Sequence, residues 1–266
     1  MSNPAEEADV KTVTVVIEGD VGTVTMRRPP HNFLTVSSMR ELAAALEGLA
    51  GHCRAAVLAA EGRSFCAGAS FRADDSPDPS AGSSFAETAR SFYVEAMRVF
   101  ESPVPVVAAV QGAAVGGGLG LMLACDIRVM SEAAWVQANF VRLGIHPGFA
   151  LSATLPAFVG RGRAADLFLT GRRVDAGECL ELGLVERVVA PERELGTARE
   201  IAAEIAAAAP LAVESTRSTL RRGLADLARR QLEHELAEQA RLAGTYDAIE
   251  GVAAMLQRRE PSFQGR

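Results

Sequence analysis

The residues of this chain best suited to chemistry are backbone groups rather than side chains. Val104-Pro105-Val106-Val107-Ala108-Ala109-Val110-Gln111-Gly112-Ala113-Ala114-Val115-Gly116-Gly117-Gly118 reads as a buried strand, a glycine turn and the start of a hydrophobic helix running to Ala124. The first turn of a helix carries N–H groups with no intrahelical acceptor and the positive end of the macrodipole. Glycine lets a ligand come close to such backbone. A site of this kind suits a phosphate, a carboxylate or a developing oxyanion. The same glycines also permit tight helix–strand packing, and at this point both readings stay open. A dinucleotide site fits poorly, because its third glycine would fall at Leu121 and no acid follows at a distance suited to a ribose. A second candidate is Ser64-Phe65-Cys66-Ala67-Gly68-Ala69-Ser70, where small residues after a strand could expose another N–H donor. Taken alone, that segment is a turn.

Other elements must position these two segments. Alternation at 13–17 and 23–27 around Glu18-Gly19-Asp20-Val21-Gly22 predicts a hairpin. Thr35 or Ser37 caps a helix with Met39, Leu42, Leu46 and Leu49 on its apolar face. Short strands are expected at 55–60, 104–110, 126–130 and 135–137. Helices are expected at 85–100, 116–124, 152–159 and 163–169. Residues 72–84, rich in Asp, Ser, Pro and Gly, read as a loop. From 195 to 259 the pattern is almost wholly helical, punctuated by Pro210, Gly223 and Gly244. Strands alternating with helices and then a helical tail give an α/β core at 1–194 and a C-terminal helical region at 195–266.

Composition narrows the function classes. A chain of 266 residues with 48% hydrophobic and 23% charged residues is ordinary for a globular protein. Its net charge of −6, with no basic block, argues against nucleic acid as a partner. The uncharged stretch 102–125 is long enough to span a bilayer, but Pro103, Pro105, Gln111 and its glycines make it a buried strand, turn and helix instead, so no membrane association is expected. The N-terminal Met-Ser-Asn-Pro-Ala-Glu-Glu lacks the apolar core of a secretory signal. Neither the four cysteines nor the four histidines stand at metal-ligand spacing, so no metal is expected and a reducing, cytoplasmic location fits. Cys66, Cys125 and Trp135 read as core residues.

In this order and separation, the two backbone segments resemble the enoyl-CoA hydratase/isomerase (crotonase) family. Cys125-Asp126-Ile127-Arg128 is similar to the strand after that family's Gly-rich helix. Leu143-Gly144-Ile145-His146-Pro147-Gly148 is similar to its Leu-Gly-x-x-Pro-Gly turn. Leu169-Thr170-Gly171 through Ala176, Gly183-Leu184-Val185, Glu250-Gly251-Val252 and Arg259-Glu260-Pro261-Ser262-Phe263 continue the likeness to the last residues. The resemblance implies a crotonase-like spiral of repeated ββα units with a C-terminal α-helical trimerisation region, assembling as a homotrimer or a dimer of trimers. It implies an acyl-CoA substrate, with coenzyme A part of the substrate and no separate cofactor. The thioester carbonyl would lie between the N–H groups of Ala69 and Gly117, which would stabilise an enolate. Ala67, Gly68, Ser70, Phe71, Gly116, Gly120, Asn139 and Phe140 would line the substrate site.

The chain departs from the family where its hydratases keep their acids. One glutamate of those enzymes sits two residues after the third glycine, at Gly120 here. The second sits eight residues before the Pro-Gly glycine, at Phe140. The aspartate of dienoyl-CoA isomerases falls at Gly148. Hydration needs a base for water and an acid for the α-carbon, and none of these residues can serve. Efficient hydration is therefore not expected. The alternatives are isomerisation, decarboxylation or C–C hydrolysis of a specialised acyl-CoA, or acyl-CoA binding without turnover. Phe140 suggests a bulky or aromatic acyl group, and related CoA dehalogenases carry an aromatic there. Substitute proton carriers are Asp74 and Asp75 on the loop, and His146. Each has a plainer reading, as solvated loop acids and as a histidine satisfied at a helix start. Asn139 could hold a water. Restoring glutamates at 120 and 140 together is expected to confer hydratase activity.

Overall fold

The computed structural model describes residues 11–70 and 85–266 of the chain. An antiparallel hairpin, β1 (Val13–Glu18) and β2 (Val21–Met26), opens the fold. Helix α1 (Val36–Glu47) follows, begun by Thr35, whose side chain accepts from the Ser38 N–H in a capping box. Three strand–strand–helix units come next. They are β3 (Ala55–Ala60), β4 (Ser64–Cys66) and α2 (Phe85–Phe100); β5 (Val106–Val110), β6 (Ala113–Val115) and α3 (Gly117–Ala124); and β7 (Ile127–Ser131), β8 (Trp135–Gln137) and α4 (Leu151–Val159). A 3-10 turn, Phe140–Leu143, lies inside the third unit. Then come α5 (Arg161–Thr170), β9 (Arg173–Asp175), α6 (Ala176–Glu181) and β10 (Arg187–Val189). The chain ends in α7 (Glu194–Ala207), α8 (Pro210–Leu220), α9 (Leu224–Ala243) and α10 (Tyr246–Gln257).

Each unit gives one strand to each of two sheets. The larger runs β1-β2-β3-β5-β7-β10, parallel from β2 onward, and the smaller runs β4-β6-β8-β9, parallel except at β9. This is the repeated ββα arrangement expected from the resemblance. The strands β4 and β6 fall where the sequence pattern predicts turns, β6 within the turn between the strand at 104–110 and the helix at 116–124. Three-residue strands are too short to show a period of two.

Alternation decides what the large sheet touches. Ala55, Val57, Ala59, Val107, Ala109 and Val129 face Ala198, Ala202 and Ala206 of α7. Their neighbours Ala56, Leu58, Val106, Ala108, Val110 and Met130 face the main core. With both faces covered, these strands read as unbroken apolar runs. Helix α3 is buried all round, as its uninterrupted apolar sequence requires. Among the described residues no helix is long and apolar enough to cross a membrane.

Candidate active site

Parallel pairing of β4 with β6, Ser64 to Ala113 and Cys66 to Ala114, carries both candidate segments out of the sheet side by side. They leave at the carboxyl ends of the strands, where ligands bind in open α/β sheets. The glycines are what let the two backbones touch. A Cβ on Gly112 would overlap the Arg63 carbonyl, and one on Gly118 would overlap the Cys66 carbonyl oxygen. A Cβ on Gly117 would stand 3.4 Å from the Ala69 nitrogen. Gly116 turns the chain into α3 with φ +52°, a conformation that disfavours side chains. Close packing and ligand access are thus served by the same residues.

A second clamp holds the Ala69 side, and the sequence did not reveal it. The Ala67 N–H donates to His31 O at 2.9 Å, Leu34 N–H to Gly68 O at 2.9 Å, and Ser70 N–H to Leu34 O at 2.8 Å. Ala69 is therefore held between Leu34 and Gly117. Among the described residues neither the Ala69 N–H nor the Gly117 N–H has an acceptor. Two neighbouring N–H groups, one of them at a helix N-terminus, form a local concentration of positive potential suited to an anionic oxygen.

The side chains around these amides are mostly apolar. Gly116 faces Asn139 Oδ1, 3.4 Å from a Cβ placed there, and the Phe140 ring at 3.7 Å. Phe140 is buried and begins the 3-10 turn. Gly120 faces Phe149, whose Cβ would lie only 2.6 Å from a Cβ at 120. The space that a side chain at 120 would enter is therefore filled by Phe149, whose ring stacks edge-on to Phe92 at 6.0 Å. None of these nearest neighbours is ionisable. Cys66 is buried and its thiol is pushed up to about 12 by burial, so it stays protonated and inert.

The other expected residues divide. Phe71, Asp74 and Asp75 lie outside the described residues. His146 is half-buried, with Nδ1 2.8 Å from Pro147 O and its ring edge-on to His234 at 5.7 Å. Cys125 is buried in the core. Trp135 is half-buried rather than core, with the Arg173 guanidinium over its ring, 4.0 Å from the centroid.

Next to Phe149 lies a polar cluster that none of the sequence motifs marks. Glu235 of α9 is fully buried and accepts the N–H groups of Ala150 at 2.8 Å and Ser152 at 2.9 Å, and the Ser152 hydroxyl. Burial pushes its carboxyl up to about 7, against those donors, which pull it down. Tyr93 Oη donates to Gln239 Oε1 at 2.7 Å, and burial raises the phenol further above its ordinary range. The Tyr93 oxygen occupies the space that a side chain at Gly148 would need. A signal existed: Glu235 and Gln239 fall on the helical stripe of Ala228, Leu232 and Leu236, where polar residues are out of place. Among the described residues no group of three or more His, Cys, Asp and Glu side chains is placed to hold a metal. A groove of about 790 Å³ between α7, α8 and the start of β7 is lined by Cys125 but by none of the residues around the Ala69 and Gly117 amides.

Two largely parallel sheets built from ββα units, with paired backbone amides at the carboxyl ends of two strands, define the class. Residues 16–266 match the family model described as enoyl-CoA hydratase/isomerase, and the chain belongs to that family. A short-chain-enoyl-CoA hydratase of Clostridium acetobutylicum is 33% identical over 220 residues, covering 81% of this chain and 83% of that protein. The crystal structure of an enoyl-CoA hydratase/isomerase from Pseudoalteromonas atlantica superposes with TM-score 0.84 at 32% identity, covering 96% of this chain and all of that one. A carnitinyl-CoA hydratase from Mycobacterium avium superposes with TM-score 0.83 at 28% identity, over 96% and 99% of the two chains.

Proposed function

We propose that the chain is an acyl-CoA enzyme that holds a thioester carbonyl between the N–H groups of Ala69 and Gly117 and stabilises the enolate formed there. One observation carries this reading: two adjacent amides without acceptors among the described residues, held together by Gly117 and Gly118 at the ends of β4 and β6. Each donor of such a hole contributes roughly 3 kcal/mol to the transition state. Coenzyme A enters as part of the substrate, and no separate cofactor is needed. Family membership supports a homotrimer or a dimer of trimers in the cytoplasm.

Simple hydration is not the efficient reaction. Gly120 and Phe140 carry no acid, and Phe149 fills the space beside Gly120. The apolar lining favours an enolate reaction such as isomerisation, decarboxylation or C–C hydrolysis of a specialised acyl-CoA, with binding alone as the limiting case. Asp74, Asp75 and His146 are the proton carriers to substitute first. Calorimetric titration with crotonyl-CoA and free CoA, beside a crotonyl-CoA hydration assay, tests the reading. Binding of the thioester with slow turnover is expected, and the absence of thioester binding refutes it. Gly117→Pro removes one donor at the first helical position, where proline is tolerated. It should lower any turnover ~10²–10³-fold with the fold intact by circular dichroism.

A further inference from the structure

The turn between the Pro-Gly step and α4 adopts an unusual backbone. Phe149 and Ala150 are consecutive non-glycine residues at φ +62° and +56°, a left-handed conformation that side chains disfavour. Helix α4 has no cap from its own Ala150. Something else must hold this turn, and two helices supply it. From α9, the Glu235 carboxylate binds the Ala150 and Ser152 N–H groups and the Ser152 hydroxyl, which Gln231 Nε2 also reaches at 2.7 Å. This is a helix cap delivered by another helix. From α2, Tyr93 Oη lies in the space beside Gly148 and donates to Gln239, whose Nε2 donates to His146 O at 3.0 Å. Among the described residues Glu235 has no salt-bridge partner, so its burial is offset by these donors alone.

We propose that Glu235, with Tyr93 and Gln239, is a positioning residue of the acyl site, holding the 148–152 turn so that Phe149 stands against Gly120 and beside Gly117 and limits the acyl group accepted there. The inference rests on the acyl-CoA reading given above. Contact with position 120 is made by the Phe149 Cβ as well as its ring, and a Cβ at 117 would lie 3.8 Å from Phe149 Cδ2. The wall is thus placed by the turn backbone and not by a rotamer alone, so loosening the turn moves the wall. Glu235 touches neither glycine in this arrangement and acts through Ala150 and Ser152.

Two measurements test this. Hydrogen exchange of the 148–152 amides reports the tether without any ligand, and the ratio of butyryl-CoA to benzoyl-CoA affinities, by calorimetry, reports the wall. Phe149→Ala sets the scale and should shift the ratio toward benzoyl-CoA by ~10-fold or more. Glu235→Leu should speed exchange of these amides ~10-fold or more and shift the ratio in the same direction. Glu235→Gln keeps one acceptor oxygen for Ser152 but turns an NH2 toward the Ala150 N–H, so it should fall between wild type and Glu235→Leu on both readouts. A residue of merely general structural importance would not move the ratio. If Glu235→Leu does not fold, Tyr93→Phe removes one hydroxyl, loosens the other tether and should produce the same pair of changes. Unaltered exchange, or faster exchange with an unaltered ratio, overturns the proposal. If the wild type binds neither thioester, the acyl-CoA reading falls, and exchange alone decides whether Glu235 holds the turn.

Discussion

Gly120→Ala is the smallest perturbation that asks whether Phe149 fills the space beside position 120. A Cβ at 120 would lie 2.6 Å from Phe149 Cβ and 2.7 Å from Cγ and Cδ1. Phe149 is fully buried, and its ring is held by Phe92 and Phe100 at 6.0 and 5.9 Å. It has nowhere to retreat, so the added methyl overpacks the core at a cost of about 1–3 kcal/mol. Truncating Phe149 only to alanine would keep the offending Cβ, so the informative partner is Phe149→Gly. That change empties the site at about 3–5 kcal/mol for the lost ring, less roughly 1 kcal/mol because glycine accepts the positive φ. In the Phe149→Gly background Gly120→Ala has room, and alanine exceeds glycine in helix propensity by about 1 kcal/mol. The same substitution should therefore change sign, from destabilising in the wild type to stabilising in the variant. Equilibrium urea unfolding of the four proteins, at one protein concentration, measures the cycle. Costs that add within about 0.5 kcal/mol would refute the steric argument. The expectation that glutamates restored at 120 and 140 suffice for hydration is corrected by the same geometry. A glutamate at 120 needs Phe149→Gly as well, and only the triple variant should gain crotonyl-CoA hydration.

Three further outcomes can be checked directly. Glu235 is raised from 4.5 to about 7, so the folded state holds its proton more tightly than the unfolded state. Its stabilising contribution is full below pH 4.5 and is lost as pH rises to 7, by up to about 3 kcal/mol. The fall in unfolding free energy between pH 5 and 8 should shrink by that order in Glu235→Gln, and an unchanged difference would sink the assignment. Gly118→Ala forces a methyl onto the Cys66 carbonyl oxygen and should destabilise by about 3 kcal/mol or more. Gly196→Ala, with open space around it on α7, should stabilise by roughly 0.5–1 kcal/mol; melting temperatures separate the two. Cys66, Cys125 and Cys179 are buried, with thiols pushed up to about 12. They should resist a thiol-specific reagent at pH 8 until denaturant is added, and rapid native labelling at any of them would contradict their placement.

The sequence by itself determined the parts whose physics is local. The glycines at 112 and 116–118, after a strand and before an apolar helix, marked where backbone would lie bare. Thr35 marked the start of α1, and Pro210, Gly223 and Gly244 marked the breaks between the last four helices. The motif order carried the family resemblance, and with it the expectation that the family's acid positions fall at Gly120, Phe140 and Gly148. What only the tertiary structure decided depends on residues far apart in the chain. The clamp on Ala69 comes from His31 and Leu34, whose contributions are carbonyl and N–H groups that leave no mark on residue type. The strands β4 and β6 are too short for periodicity, yet their pairing sets the two amides side by side. Phe149 beside Gly120, and Glu235 beneath the turn 85 residues earlier in the chain, join α3, α4 and α9. A single sequence records that a glutamate stands on an apolar stripe. Only the packing of the helices says which N–H groups it meets, because a buried carboxylate is kept in place by partners that the fold alone brings to it.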